Sequence, residues 1–542
     1  MRGLMQRDPL VLTRFLERAV TYHPRAQIVT RTSQGTHRET YEELGERSAR
    51  LAHALRDLGV GPGDRVGSFA FNGWRHLELY FAVPCMGSVL HTLNIRLHPD
   101  QIAWIANHAE DRVIFVDGAL VPVFQKVVPN LRTVEHIVVM GDAEPEIAGA
   151  KEYEELLEGA SPEPDWPDLD EDDACSMAYT SGTTGDPKGV VYSHRSMVLH
   201  AMMVNQAGTV GITDHDAVLP VVPMFHANAW GMPYAATMAG ARQVFPGQFS
   251  ADPPALADLI ETERVTVLAG VPTVWIGLLQ ELERNPRDLS SIRYITAGGS
   301  AVPKSLIEGF RRAVGVDLVQ GWGMTETGPV AALSQLTPEL SELPEEEQLR
   351  QRAKQGMPVP GVTARVVDMA TGEVVPWDGK SMGEIQVKGN WVASAYYRPE
   401  GPVESFTEDG WLRTGDVAVV DEHGFLHLVD RTKDLVKSGG EWISTIELES
   451  ALMGHPAVLE AAVIAVPDER WGERPLAVVV LKEGRTATRE ELVEHIAYQF
   501  PKWWLPDRVE FVSDIPKTSV GKFDKKVIRA GHRGGADVAP SE

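Results

Sequence analysis

The sequence predicts an α/β protein. A large N-terminal domain of helix-covered mixed and parallel sheets carries a small β region, and a small α+β domain follows it. Three observations lead there. Helical and extended segments alternate through the first half with short connections, which favours a parallel sheet under helices. Towards the end of the large domain the texture changes to short alternating segments, ARVVDM, GEIQVKG and GFLHLVD, between Gly- and Asp-containing turns, the pattern of a small antiparallel region. Beyond Asp430 a compact mixture of helices and strands begins. The expected division is a first part to 430 and a last part from 434 to 542, with a disordered tail from about 531.

The elements follow in order. TYEELGERSARLAHALRDLG (40–59) sets Leu44, Ala49, Leu51, Leu55 and Leu58 near one helical face and stops at Gly59. GDRVGSFA (63–70) reads as a strand, HLELYFAVPCMGSVL (76–90) as helix, DQIAWIANHAE (100–110) as helix and RVIFV (112–116) as strand. The acidic, Pro-containing stretch 142–173 reads as a solvated connection into the strand CSMAYT (175–180). LTPELSELPEEEQLRQRAK (336–354) reads as a surface helix after a loop. In the last part, helices are expected at 444–455 and 488–500 and strands at 461–466 and 476–481.

Composition excludes several classes. The 542 residues carry 76 acidic against 51 basic side chains, a net charge of −25, so nucleic acid and anionic membrane surfaces are disfavoured as partners. Two cysteines, Cys85 and Cys175, build no disulfide framework, and no CxxC or HExxH spacing points to zinc. The opening MRGLMQRDPL meets charge and Pro before any apolar run, unlike a signal peptide, and no window nears the roughly 18 apolar residues of a membrane span. A cytoplasmic protein is expected.

The strongest local signal is Tyr179-Thr180-Ser181-Gly182-Thr183-Thr184-Gly185-Asp186-Pro187-Lys188-Gly189. A strand runs into a loop of glycines, hydroxyls and a lysine: glycine lets backbone approach a phosphate, hydroxyls donate to it, and Lys188 neutralises charge. The spacing is not that of a Walker loop. Taken alone, the segment also fits a Ser/Thr/Gly-rich surface turn.

This loop resembles the phosphate-loop signature of the adenylate-forming superfamily. VVPMFHANAW (221–230), AGGSAVP (297–303), GWGMTET (321–327), GWLRTGDVA (410–418), DRTKDLVKSGGEWIS (430–444) and PKTSVGKFDKK (516–526) follow in the superfamily's order. Within it the chain most resembles bacterial medium- and long-chain fatty acyl-CoA synthetases. The resemblance implies that a carboxylate attacks the α-phosphorus of ATP, and that coenzyme A then takes the acyl group from the adenylate.

It also implies roles for individual residues. Thr180 to Gly185 and Lys188 would hold phosphates, with Thr184 and Glu326 at Mg²⁺ and Thr325 at the α-phosphate. Gly298, Gly299, Ser300, Gly321, Gly323 and Met324 would border the nucleotide, and Trp322 would stack on adenine. Asp416 and Arg431 would bind ribose. Lys522 would be the adenylation lysine, since a flexible ammonium can reach both the attacking carboxylate and the α-phosphate. Lys433 matches the hinge, which the resemblance places at 431–433 and about which the small C-terminal domain would be mobile; Gly439 and Gly440 would leave room for pantetheine, and Lys437 or Trp442 would couple to nucleotide. A homodimer is a family-level expectation.

The acid pocket is expected between VVPMFHANAWGMPY, VPTVW (271–275) and AGGSAV, all apolar or small, without the Asp that would meet an α-ammonium. A neutral, greasy tail suits such walls. By resemblance His226 stands beside the acyl carboxylate and Trp230 gates a tunnel, with Gly231, Val271 and Gly298 around it. The alternatives are a ligase for a short acid such as methylthiopropionate, an enzyme passing its adenylate to a carrier protein, and a non-catalytic binding regulator.

Overall fold

In the computed structural model, residues 1, 3–141, 147–180, 187–432, 434–439, 441–517 and 523–532 are described. They form four sheets.

Two sheets make up the bulk of the large part. In one, the strands Arg65–Phe69, Val89–Thr92, Asp111–Asp117, His136–Met140 and Ala174–Tyr179 run parallel, with Gly189–Ser193 antiparallel at the edge. In the other, Ala217–Pro220, Arg242–Phe245, Val267–Gly270, Tyr294–Gly298 and Leu318–Gly323 run parallel, and Val330–Leu333 returns antiparallel. Strands buried on both faces read as continuous apolar runs. A shared core joins the sheets through the helices Trp74–Cys85 and Met232–Ala239, where Tyr80 and Phe81 pack on Tyr234 with ring centroids 5.3 and 5.7 Å apart.

The β region at Val362–Val367, Gly383–Gly389, Leu412–Val420 and Leu426–Arg431 is an antiparallel four-stranded sheet, as the alternation predicts. The last part has its own core: Val436, Ile443, Leu448, Leu452, Val463, Val479, Leu492 and Ile496 pack between the helices Thr445–Met453 and Arg489–Ala497 and the hairpin Val458–Asp468/Gly472–Leu481.

Two expectations need correction. The helix read over 76–90 ends at Cys85; Gly87 takes φ +87°, a conformation that favours glycine, and Val89–Thr92 is a buried parallel strand. The connection 142–173 contains the strand Lys151–Glu152 and the helix Tyr153–Leu157, whose fully buried Tyr153 donates to Glu78. At the other end, the helix Lys525–His532 is tied down where His532 Nε2 shares a hydrogen bond with Glu510 Oε2 at 2.8 Å; residues 533–542, where the disordered tail is expected, lie outside the described residues.

Candidate active site

Strands from both sheets end at one cleft of about 850 Å³. Thr180, Val222, Pro223, His226, Val271, Gly298–Gly299 and Gly321–Glu326 line it near their carboxyl ends, where open α/β sheets place ligands. Glu384, Arg413–Gly415, Arg431 and Thr432 line it from the small β region, and Lys517, Phe523–Lys526 and Arg529 from the last part of the chain.

The glycine-hydroxyl loop is clasped at its ends. Thr180 N–H donates to Lys188 O at 2.9 Å, and Lys188 N–H donates to Thr180 Oγ1 at 3.2 Å. Ser181, Gly182, Thr183, Thr184 and Gly185 lie outside the described residues. The Lys188 ammonium stands 4.8 Å from the Tyr396 ring centroid, on the face where ring electrons attract a cation.

Glu326 sits buried in a short turn at Thr325–Thr327. Tyr192 donates its hydroxyl to Thr325 O and Tyr396 its hydroxyl to Glu326 Oε1, each at 2.7 Å. Burial raises the pKa of the Glu326 carboxyl; the Tyr396 bond and the charges of Lys188 and Arg431 oppose the rise. A Cβ on Gly323 would lie 1.8 Å from Pro329 O, so only glycine passes there. Among the described residues no group of three or more His, Cys, Asp or Glu side chains could hold a metal. One carboxylate, Glu326, in the lining of the cleft fits magnesium, which is commonly held by one or two carboxylates and substrate phosphates rather than by a protein cage.

At the next position along the cleft, Asp416 ties two side chains together. Trp322 Nε1–H donates to its Oδ2 at 2.9 Å and Arg431 Nε–H to its Oδ1 at 3.2 Å. The antiparallel pairing of Asp416 with Arg431 brings the second pair into reach. An aromatic face beside a carboxylate and a guanidinium can hold a purine and the hydroxyls of its sugar.

The remaining arm is apolar, with Met203, Val204, Val222, Val271 and Leu333 in its walls. Its centre is unusual: Ala227, Asn228, Ala229, Trp230 and Gly231 have consecutive φ values of 44°, 53°, 48°, 58° and 71°. Left-handed backbone costs roughly 1–2 kcal/mol per non-glycine residue. Surrounding contacts hold it: buried Asn228 accepts from Ser176 Oγ at 3.1 Å, and Ala229 N–H reaches His226 O at 3.3 Å. The turn presents Trp230 to Gly298, where an added Cβ would lie 3.0 Å from the indole and 2.9 Å from Gly321 O. Asn72 fixes the approach to His226: its Nδ2 donates to Pro220 O at 2.8 Å and Val222 O at 2.9 Å, and its Oδ1 accepts from Met224 N–H at 2.7 Å.

On the opposite side, Lys517 and Phe523 pair as an antiparallel bridge and Asp524 N–H donates to Pro516 O at 2.7 Å, closing the base of a loop at the cleft. Lys522, within 518–522, lies outside the described residues. Lys525 is held by Glu449 at 2.7 Å and Thr445 Oγ1 at 2.5 Å, and Thr445 N–H donates to Asp430 Oδ2 at 2.8 Å. Burial pushes Glu449 up to about 7, opposed by the Lys525 charge.

Residues 16–397 match the family described as AMP-binding enzyme, and 447–522 match the AMP-binding enzyme C-terminal domain. The chain belongs to the AMP-binding enzyme family. This AMP-binding enzyme is 50% identical over 532 residues to a long-chain-fatty-acid–CoA ligase of Thermus thermophilus, covering 98% of this chain and 97% of the relative. It is 43% identical over 538 residues to a 3-methylmercaptopropionyl-CoA ligase of Ruegeria pomeroyi, covering 98% and 99%. The crystal structure of the anthranilate CoA ligase AuaEII with anthranoyl-AMP superposes with a TM-score of 0.87 at 26% identity, covering 97% and 98%.

Most described residues that the motifs single out in this AMP-binding enzyme meet at the cleft: Thr180, Lys188, His226, Trp230, Val271, Gly298, Gly299, Gly321–Glu326 and Arg431 line it, with Asp416 behind Trp322. Others do not. Ser300 is exposed and not in the lining. Gly231 makes room for buried His200, whose Nδ1 would stand 2.6 Å from an added Cβ. Trp275, in VPTVW, packs in the core against Phe310. Lys437, Gly439 and Trp442 stand away from the cleft: the Lys437 ammonium lies 5.2 Å from the Trp442 ring and Gly439 N–H donates to Trp471 O at 2.7 Å. Lys433 and Gly440 lie outside the described residues. The sequence reading missed Asn72 and Tyr396; neither lies in a motif, although the Asn-Gly at 72–73 between a strand and a helix marks a turn.

Proposed function

We propose that this chain is an ATP-dependent fatty acid–CoA ligase. The carboxylate oxygen of the acid attacks the α-phosphorus of ATP and pyrophosphate leaves; the sulfur of coenzyme A then attacks the acyl carbonyl and AMP leaves. The observation that carries the reading is the single cleft in which an apolar arm at Trp230, a lysine-bearing loop and the Trp322–Asp416–Arg431 group adjoin.

In this reading Trp322 stacks on adenine, and Asp416 and Arg431 hold ribose. The loop from Thr180 to Lys188, with Thr325, holds the phosphates, and Lys522 bridges carboxylate and α-phosphate as negative charge accumulates. Glu326 and Thr184 would hold Mg²⁺, which when bound neutralises charge on phosphate oxygens. His226 orients the carboxylate. Residues 431–433 are the hinge on which the part from 434 onward turns between the two steps, bringing Gly439 and Gly440 to the pantetheine arm. A cytoplasmic homodimer completes the proposal.

A second reading, a ligase for a short thioether acid, is favoured by the 43% identity to the Ruegeria enzyme. The deciding experiment measures AMP and pyrophosphate release over saturated acids of increasing length and 3-methylmercaptopropionate, with and without CoA. CoA-dependent turnover rising with chain length supports the first reading. A preference for the thioether acid supports the second, and no turnover with any acid overturns both.

A further inference from the structure

A strap at Ala393–Tyr397 bridges the two loops that the proposed function assigns to phosphate and metal. Ala393 N–H donates to Glu326 O at 2.7 Å, and Tyr397 N–H donates to Gly189 O at 2.9 Å. Between these anchors Tyr396 touches both loops with its side chain: its hydroxyl donates to Glu326 Oε1 at 2.7 Å, and its ring face lies 4.8 Å from the Lys188 ammonium. The ring is held in turn by Phe406, with centroids 5.5 Å apart.

We propose that Tyr396 is a positioning residue that couples the phosphate-loop lysine to the carboxylate assigned to magnesium. Its ring seats Lys188 before phosphate arrives. Its hydroxyl fixes the Glu326 carboxylate through Oε1, which leaves Oε2 outside that bond. Without this donor the buried carboxylate would lose its side-chain hydrogen bond to the strap, and a lysine without the ring would lose its seat on this side. The proposal rests on the reading of Glu326 and Lys188 given above. Removing the hydroxyl then costs metal-dependent binding, whereas removing the ring also disturbs binding without metal. Partners that orient a metal-binding side chain typically contribute 10–100-fold to metal affinity or activity.

The test measures equilibrium ATP binding to the full chain by calorimetry, in Mg²⁺ and in EDTA, together with the melting temperature of each variant. Tyr396→Phe keeps the ring and is expected to reduce the magnesium enhancement of ATP binding about tenfold. Its affinity in EDTA stays within about twofold, since the cation–ring contact remains. Tyr396→Leu is expected to weaken binding in EDTA as well. In a Glu326→Gln background Tyr396→Phe should have no further effect on the magnesium enhancement.

A Tyr396→Phe protein with the full magnesium enhancement overturns the proposal, as does an equal loss in the Glu326→Gln background. If the unmutated protein binds ATP equally with and without magnesium, the assignment of Glu326 itself falls. That result is distinct from a failure confined to Tyr396.

Discussion

The indole of Trp322 and the carboxylate of Asp416, 94 residues apart in sequence, are joined by a buried hydrogen bond of 2.9 Å. The same carboxylate takes Arg431 on its other oxygen. One side chain thus sets both the aromatic plate and the guanidinium at this end of the cleft. Asp416→Ala is therefore expected to weaken ATP binding about tenfold or more, since bonds to a charged group are each worth about 1.5–3 kcal/mol. Calorimetric titration with ATP checks it; unchanged affinity in a folded variant would remove Asp416 from the site.

Lys522→Ala should reduce adenylate formation by at least about a hundredfold, the scale on which removing an electrostatic stabiliser acts. The same variant should still convert supplied acyl-adenylate and CoA to thioester. Pyrophosphate exchange and thioester release, measured separately, distinguish the steps, and equal loss of both would contradict the assigned role.

Gly298→Ala places a methyl 2.9 Å from Gly321 O and 3.0 Å from the Trp230 ring, so either the strand or the indole must move. Turnover of long acids is expected to fall more than that of short ones, with about 1–3 kcal/mol of destabilisation from overpacking. Chain-length profiles of kcat/KM for the variant and the parent provide the check.

A fourth expectation concerns pH. Burial pushes Glu39 up to about 8 and Glu78 up to about 7, although Arg47 opposes both and Arg75 also opposes the rise at Glu39. His37, Glu43, Tyr153 and Glu154 stand nearby. Between the ordinary carboxyl range and pH 8 the folded protein therefore holds protons that the unfolded chain has released. Stability is greatest below that window and falls as pH rises through it, by about 1.4 kcal/mol per pH unit per group at the steepest. Glu39→Gln should flatten the decline and be the more stable protein at pH 8.5. Urea midpoints at pH 5.5 and 8.5 measure it, and parallel slopes for both proteins would refute the assignment.

Much of this architecture is legible in the chain because each local signal agrees with its neighbours. Alternation in ARVVDM and GEIQVKG gives an antiparallel sheet, and the glycine after LRDL stops a helix where expected. The reading failed where apolar character lacks a period. MGSVL continues the hydrophobic run of a helix, and only Gly87 marks the change to strand. In the site, motif positions found Trp322, Asp416, Glu326 and Trp230, residues whose chemistry suits a nucleotide or an acyl chain. Asn72 was not legible, because its work is to satisfy the backbone of a loop about 150 residues away. Tyr396 was not legible for the same reason: its partners Lys188 and Glu326 meet only after the two sheets have assembled.

The left-handed turn from Ala227 to Gly231 has a practical bearing on re-engineering the enzyme for other acids. Backbone of this sign excludes Val, Ile and Thr almost outright, so positions 227–230 offer a narrow choice of replacements, and most would disturb the chain path along with the pocket shape. Met203 and Val204 on a regular helix and Leu333 on a regular strand border the same arm under no such restriction. Libraries aimed at bulkier or shorter tails should diversify those walls and leave the turn as a fixed frame.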